Sequence, residues 1–202
     1  MRGFSIGVTG AAIALASQLS LPAWAGGDFD ALSADEQARV DQGEIVVHAE
    51  HTRHPLKRLL VVGQIQASAA AVYHAYTDYE HYAQIFGLKS SKVLQRDGNT
   101  LDVNVTMDFP WPIGERWVTN ETDLQPDRYA FTYHRIDGSI KEYVGEIKVV
   151  PLGEHRCQVY YTAKVDPGIA FLPYWLIDRL SATAFPDSIR DVRLYLKQHP
   201  ED

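Results

Sequence analysis

The chain has a single cysteine, Cys157, among its 202 residues. A small secreted domain that depends on disulfides needs cysteines in pairs, so this class of scaffold is excluded. Cys157 lies in an alternating stretch, which indicates a buried small hydrophobic residue. The chain is long enough to bury a substantial core without cross-links, and its stability is expected to come from packing.

Basic residues are also scarce. The chain has 19 lysines and arginines against 26 aspartates and glutamates, and its formal net charge is −7. A nucleic-acid-binding protein needs a basic face, so we expect no nucleic-acid partner. The same charge disfavours simple electrostatic attachment to anionic lipid. The sequence contains no repeats, low-complexity tracts or long linkers, which predicts one domain. We expect a monomer.

The first 25 residues have the three parts of a secretory signal peptide. Met1 and Arg2 supply a positive start, residues 4–21 form an apolar stretch without acids, and Ala23-Trp24-Ala25 is a small-x-small cleavage site. The apolar stretch is short for a membrane span. We therefore predict a signal peptide over residues 1–25 and a periplasmic or secreted location. The alternative is an N-terminal helix of the folded protein.

A polar lead-in covers residues 26–43. The capping-box spacing of Ser33 and Glu36 predicts a brief helix at residues 36–40. We interpret this segment as a surface element without chemistry.

The body of the chain alternates between strand and helix patterns. Ser68 is expected to cap a first helix that ends near Phe86. Short turns link the strands that follow, which predicts an antiparallel meander. The first predicted strand starts with residues 43–47. The others cover residues 59–65, 101–109, 116–122, 129–136, 143–150 and 156–165.

The last predicted element is a long helix over residues 173–197. Its apolar stripe is the best candidate to cover the apolar face of the sheet. Pro186 is expected to kink this helix or break it in two, because proline removes one hydrogen bond and crowds the preceding turn.

Four short stretches carry a family resemblance. They are Ser68-Ala69-Ala70-Ala71-Val72-Tyr73, Thr77-Asp78-Tyr79-Glu80-His81-Tyr82, Asp108-Phe109-Pro110-Trp111-Pro112 with Glu115-Arg116-Trp117, and Val165-Asp166-Pro167-Gly168. In this order and spacing, the chain resembles the START-like (SRPBCC, helix-grip) superfamily. The resemblance is strongest to its secreted bacterial branch, related to polyketide cyclases and coenzyme Q-binding START proteins. It predicts a START-like domain over residues 44–198.

The resemblance implies an α+β fold, in which a curved antiparallel sheet wraps around the long C-terminal helix and leaves a cavity between them. Such a cavity suits apolar molecules, with a few polar groups to set selectivity. The eleven tyrosines and four tryptophans favour a pocket over a filled core, since their polar tips suit an apolar site. The candidate wall residues are Val103, Val105, Met107, Phe109, Tyr129, Phe131, Tyr133, Val159, Tyr161, Trp175, Leu176 and Leu180.

The predicted function is binding, with transport, of a hydrophobic small molecule or lipid in this cavity. The alternative is a cyclase-type or hydrolase-type enzyme that acts on a hydrophobic substrate in the same cavity. Its candidate proton-transfer residues are Arg135, Glu121, His134 and Tyr161. We find no nucleophile–base pair and no G-x-S-x-G motif, so binding without catalysis is preferred and no cofactor is expected.

Two further features have alternative interpretations. His48, His51 and His54 are spaced by three, which would align them as metal ligands on a helix. The preceding residues read as a strand and Pro55 follows, so an irregular connection is preferred to a metal site. Trp111 is expected to cover the cavity mouth, to make transient membrane contact, or simply to pack.

Overall fold

The structure, a computed structural model, describes residues 31–53, 56–109, 111, 113–169 and 174–199. Its description of side chains leaves out residues 51–53, 56, 57 and 174–182. The predicted signal peptide over residues 1–25 lies outside the described residues, as does His54.

The described chain folds into four α-helices and eight β-strands. From Leu32 onward it forms one compact unit. The elements in chain order are α1 (Ala34–Asp41), β1 (Val46–Arg53), β2 (Leu56–Ile65), α2 (Ala69–Thr77), α3 (Tyr82–Ile85), β3 (Ser90–Asp97), β4 (Thr100–Phe109), β5 (Gly114–Gln125), a 3-10 turn (Pro126–Arg128), β6 (Ala130–Gly138), β7 (Glu142–Gly153), β8 (Arg156–Asp166) and α4 (Tyr174–Gln198).

The eight strands form one antiparallel sheet in the order β1-β2-β8-β7-β6-β5-β4-β3. Strands β3 to β8 follow one another as a meander, because short turns can join antiparallel neighbours directly. The N-terminal hairpin of β1 and β2 pairs with β8. The predicted antiparallel meander with a C-terminal helix is therefore confirmed.

The main core lies between the sheet and helices α2 and α4. Val72 and Tyr76 of α2 and Ile189 and Val192 of α4 are fully buried. They pack in one cluster with apolar side chains of the central strands, including Cys157. Burial raises the pKa of the Cys157 thiol to about 12, so this side chain is an inert core residue at neutral pH.

The predicted first helix is interrupted. Helix α2 ends at Thr77, and Asp78 has φ −80° and ψ 72°, which is not helical. The Asp78 carboxylate instead contacts the His81 ring, with Oδ2 2.8 Å from Nδ1. Aspartate competes with helical hydrogen bonding in this way, so the expectation of one helix to Phe86 is wrong.

The C-terminal helix is continuous from Tyr174 to Gln198, with Pro186 inside it. Of the two expected effects of Pro186, a break does not occur. Packing on the sheet explains this, because Ile189 and Val192 are fully buried just after the proline. Arg193 adds two hydrogen bonds to the carbonyl oxygen of Gln64, from Nε at 2.9 Å and Nη2 at 2.6 Å.

Helix α1 begins with the capping box that its spacing predicted. The Ser33 hydroxyl accepts a hydrogen bond from the Glu36 amide, and the Ser33 amide donates to the Glu36 carboxylate at 2.9 Å. His48 of β1 lies 2.8 Å from the same carboxylate and so ties the helix to the sheet. These contacts lower the pKa of Glu36 to about 2, and the hydrogen bonds from Ser33 are the main cause.

Glu36→Gln is expected to change how stability depends on pH. The Glu36 carboxylate stays charged in the folded protein down to about pH 2, whereas its ordinary pKa is 4.5. Its stabilising effect is therefore complete above pH 4.5 and is lost as the pH falls toward 2. Urea unfolding should show wild type more stable than Glu36→Gln at pH 7, with a smaller difference at pH 3. Asp35→Asn controls for loss of charge, and an equal difference at both pH values would contradict the prediction.

Candidate functional site

A cavity of about 520 Å³ lies between the concave face of the sheet and the helices, and it is partly open to the outside. Its wall combines strands β4 to β8 with residues of α2, α3 and α4. The volume falls in the range of small-molecule sites, roughly 300–1,000 Å³.

Most of the predicted wall residues lie where the alternation placed them. The cavity is lined by Val103, Val105, Met107 and Phe109 of β4, Phe131 and Tyr133 of β6, and Tyr161 of β8. Val159 is fully buried in the core and is not part of the wall. Trp175, Leu176 and Leu180 lie on α4, but their side chains are outside the described residues.

Tyr129 does not line the cavity. It follows the 3-10 turn in the left-handed region, with φ 47°. Its side chain therefore does not follow the alternation of the strand that begins at Ala130. The ring instead packs edge-on against Tyr73, with the ring centroids 6.0 Å apart.

Several residues of the cavity wall were not predicted from the sequence. Strand β5 contributes Asn120 and Thr122, because Asn120 pairs with Val103 and Thr122 with Leu101 in the β4–β5 register. The alternation of β5 would have found these residues once the register was known. Other missed residues include Tyr76 of α2, Tyr79 in the link to α3, Tyr82 of α3, Phe86 just after it, Tyr143 of β7, and Ser188 and Asp191 of α4.

Three tyrosines from neighbouring strands bring their hydroxyls together in the cavity wall. The Tyr133 hydroxyl donates to that of Tyr161 at 3.3 Å, and the Tyr143 and Tyr161 hydroxyls are 2.8 Å apart. We call Tyr133, Tyr143 and Tyr161 the tyrosine triad. The rings of Tyr133 and Tyr143 also contact each other, with centroids 4.8 Å apart.

The surroundings of the triad keep its hydroxyls protonated. Burial raises the pKa of all three, most strongly for Tyr133 and Tyr161. Tyr143 is only partly buried and lines the cavity. The triad therefore offers hydrogen-bond donors at neutral pH and not a general base.

Gly145 of β7 makes room for the triad. A Cβ atom at this position would lie 2.4 Å from the Tyr133 hydroxyl oxygen, 2.6 Å from Tyr133 Cζ and 2.3 Å from the carbonyl oxygen of Thr162. No side chain larger than hydrogen fits there without movement of the backbone. The requirement for glycine could not be seen in the sequence, because it arises from the ring of a neighbouring strand.

Other polar groups in the wall have no hydrogen-bond partner. These are the hydroxyls of Tyr76 and Tyr79, the Oδ1 atom of Asn120 and the Nε atom of Arg116. Burial raises the pKa of both tyrosines, although Ser188 lies near Tyr76 and Thr122 near Tyr79 and both lower it slightly. Neither Ser188 nor Thr122 is placed to form a hydrogen bond of normal geometry with the tyrosine hydroxyl beside it. Unpaired buried polar groups are rare in a filled core and indicate a site for water or a polar ligand group.

Helix α4 presents acidic groups to the cavity. Asp187 forms an ion pair with Arg190 at 2.5 Å. Burial, followed by the nearby charge of Asp187, raises the pKa of Asp191 above its usual range. The other charged residues of the described wall are Asp108 and Arg116.

The enzyme alternative named three further polar residues, and none of them lines the cavity. Glu121 and His134 face each other at 3.7 Å, each substantially exposed. Both lie on the opposite side of the sheet, because their neighbours Asn120, Thr122 and Tyr133 line the cavity. Arg135 donates from Nη2 to the carbonyl oxygen of Gly138 at 2.9 Å.

The metal site that the histidine spacing offered as an alternative finds no support among the described residues. His48 and His51 lie on strand β1, so the preferred irregular connection is wrong for these two residues, and the His48 ring contacts Glu36. The described residues contain no group of three histidine, cysteine, aspartate or glutamate side chains positioned to hold a metal ion.

Trp111 lies in the turn between β4 and β5 and is 92% exposed. The cavity-lining residues Phe109 and Ile113 lie on either side of it in the chain, so the turn is close to the cavity. None of the helices in the described part of the chain combines the length and the apolar character needed to cross a membrane.

Comparisons with known proteins agree with this geometry. A family model described as "Polyketide cyclase / dehydrase and lipid transport" matches residues 65–192. The sequence has no match among curated proteins.

Solved structures share the fold at low sequence identity. An aromatase/cyclase, ZhuI, from a Streptomyces species superimposes with a TM-score of 0.60 and 17% identity, over 72% of this chain and 96% of that one. Human STARD10 superimposes with a TM-score of 0.66 and 15% sequence identity, over 77% of this chain and 70% of that one. A STAR-related lipid transfer protein from Xanthomonas axonopodis superimposes with a TM-score of 0.62 and 19% sequence identity, over 76% of this chain and 93% of that one. These similarities establish the fold and confirm the predicted helix-grip architecture.

Proposed function

Because this chain belongs to the polyketide cyclase / dehydrase and lipid transport family, we propose that it binds and carries a hydrophobic small molecule or lipid in its internal cavity, outside the cytoplasm. The START-like resemblance is confirmed, and the family description includes both lipid transport and cyclisation. Structural neighbours are named for each activity, since one is a lipid transfer protein and another an aromatase/cyclase.

The cavity is the observation that carries the proposal. About 520 Å³ enclosed by aromatic and aliphatic side chains is enough space for a small apolar ligand. Each Å² of apolar ligand surface removed from water contributes about 25 cal/mol before ordering costs are subtracted. The ligand is therefore held by burial, and selectivity comes from the polar groups in the wall.

The proposed location rests on residues 1–25. Their positive start, apolar stretch and small-x-small site form the pattern of a secretory signal peptide. Expression of the full chain in a Gram-negative host tests the location. The protein should appear in the periplasm without residues 1–25, and an intact cytoplasmic chain would overturn this part of the proposal.

The main experiment is mass spectrometry of the protein purified under native conditions from its own periplasm. A hydrophobic species bound in stoichiometric amount supports binding and identifies the ligand. If the protein is empty, and also fails to take up any apolar probe when titrated, binding in the cavity is wrong.

A cyclase is the second candidate, and Asp191 is the observation that favours it. Asp191 lines the cavity and burial raises the pKa of its carboxyl, which is the direction that a carboxylic general acid or base requires. The same mass spectrometry separates the candidates. A carrier returns its ligand with unchanged mass, whereas a cyclase that closes a ring by condensation returns a product lighter by one water.

Transient membrane contact is the remaining part of the proposal, and Trp111 supports it. A tryptophan that is 92% exposed at a turn beside the cavity is placed to enter the interface of a bilayer during ligand transfer. Trp111→Ala should reduce cosedimentation with neutral phosphatidylcholine vesicles several-fold. Trp117→Ala, which removes a less exposed tryptophan, is the control, and equal sedimentation of all three proteins would overturn the contact.

A further inference from the structure

We infer that the cavity selects ligands that carry a neutral carbonyl oxygen, which accepts a hydrogen bond from whichever of the Tyr143 and Tyr161 hydroxyls keeps a free O–H group. This inference rests on the proposed function, because it names the chemical class of ligand for the same cavity. The family description includes both lipids and polyketides and does not make this choice.

A count of protons in the triad gives the first argument. Three hydroxyls supply three donors, but they make only two hydrogen bonds with one another. Tyr133 donates its hydroxyl proton to the Tyr161 oxygen. The second hydrogen bond joins Tyr143 and Tyr161 and uses the proton of one of these two residues. Whichever of the two donates, the other keeps a free O–H group, and both residues line the cavity. An unpaired buried donor is costly, so an acceptor on the ligand gains by meeting it.

The charge around the triad gives the second argument. Burial is the main cause that raises the pKa values of the three tyrosines, and no lysine or arginine contributes to them. Arg116 is the one basic side chain in the described cavity wall. It lies six residues before Thr122 on β5, and Thr122 is opposite Tyr133, so roughly 20 Å of strand separates the backbone of Arg116 from that of Tyr133.

A carboxylate at the triad would therefore lose its hydration without gaining an ion pair. Burying an unpaired charge in this way is far more costly than burying a neutral carbonyl. The site thus disfavours both a bare hydrocarbon, which leaves the donor unpaired, and a carboxylate.

The triad is also held in place before any ligand arrives. Gly145 lets the Tyr133 ring lie against β7, and the Tyr161 ring packs edge-on against Phe185 of α4 with centroids 5.4 Å apart. Fixed donors lose little conformational freedom when they bind, which favours selectivity.

Three naphthalene probes of similar shape test the inference: 2-acetylnaphthalene, 2-isopropylnaphthalene and 2-naphthoate. They present a ketone, a hydrocarbon and a carboxylate on the same ring. Equilibrium dialysis of each probe against the mature protein, which lacks residues 1–25, should show the ketone bound about tenfold more tightly than the hydrocarbon. This ratio is expected for one hydrogen bond. The carboxylate should bind more weakly than the ketone. The infrared carbonyl stretch of the bound ketone should shift to lower frequency.

The triple variant Tyr133→Phe/Tyr143→Phe/Tyr161→Phe removes every donor of the triad and should abolish both the preference for the ketone and the infrared shift, while hydrocarbon binding remains. Tyr129→Phe is the matched control, because its ring lies outside the cavity wall against Tyr73. Tyr143→Phe alone leaves the Tyr161 hydroxyl as a free donor and should keep the preference. If the triple variant does not fold, the ratio of ketone to hydrocarbon affinity and the infrared shift of the wild-type protein still test the inference.

The possible results distinguish failure of this inference from failure of the proposed binding function. If the hydrocarbon binds as tightly as the ketone, or if the triple variant leaves the preference intact, the inference is overturned and the proposed function stands. Tightest binding of the carboxylate overturns it in favour of an acidic lipid. If none of the probes binds, the inference and the proposed binding function fall together.

Discussion

Val105→Trp is expected to abolish most ligand binding while leaving the fold intact. Val105 lies in the cavity wall on β4, and its remaining 8% exposure indicates that its side chain is not fully enclosed by the core. An indole at this position would extend into the space that the ligand needs. If it displaces about 100 Å² of apolar contact, the loss is about 2.5 kcal/mol, which is roughly a sixtyfold fall in affinity.

Thr106→Trp is the matched control, since it adds the same indole at the next residue. Alternation along β4 places Thr106 on the opposite face of the sheet, where its side chain is only partly buried. Dialysis of 2-isopropylnaphthalene against both variants measures the difference, and circular dichroism checks that both remain folded. If Val105→Trp retains wild-type affinity, the ligand lies elsewhere and the proposed site is wrong.

Gly145→Ala is expected to give the largest loss of stability among the substitutions considered. Two of the three atoms that the new methyl group would meet belong to the Tyr133 ring, but the nearest is the backbone carbonyl oxygen of Thr162 on β8. Strands β7 and β8 must therefore separate locally. Overpacking costs typically 1–3 kcal/mol, and the involvement of backbone places this case near about 3 kcal/mol. For a domain of this size, thermal unfolding should move down by roughly 6–12 °C.

Gly153→Ala makes the same substitution at the end of the same strand. A Cβ atom there would meet nothing within 4 Å. Its free energy of unfolding should stay within about 0.5 kcal/mol of wild type. Addition of Tyr133→Phe to Gly145→Ala should restore only part of the stability, because it removes the hydroxyl but leaves Cζ and the Thr162 carbonyl in place. Equal melting temperatures for the two glycine variants would contradict the close packing at Gly145.

The fold was predictable because its signals are local. The period-two pattern of Val103, Val105, Met107 and Phe109 predicts one buried face on β4, and the structure places all four in the cavity wall. The capping box at Ser33 and the long apolar stripe of α4 are also local signals. Sequence motifs in the right order then indicated the family, which supplied the arrangement of these elements.

The polar chemistry of the site was less predictable, because it depends on register between strands. Asn120 and Thr122 face the cavity only because β5 pairs with β4 as it does. Tyr143 joins Tyr161 through a contact between strands that no single segment encodes. Tyr129 was placed in the wall by alternation alone, which failed since its backbone is left-handed. Local pattern therefore predicts which strands build a cavity better than it predicts which hydroxyls meet inside it.

The pairing of β2 with β8 has a consequence for the order of folding. Every other strand pair joins neighbours in the chain, but this one brings together Leu59 and Ala163, which are about one hundred residues apart. Closing so long a loop has a high entropic cost, and non-local pairings slow folding. The meander from β3 to β8 can form from local contacts, whereas the N-terminal hairpin has to wait for β8. A chain that emerges with its N-terminus first therefore keeps the β2 edge open until nearly all of the domain has arrived.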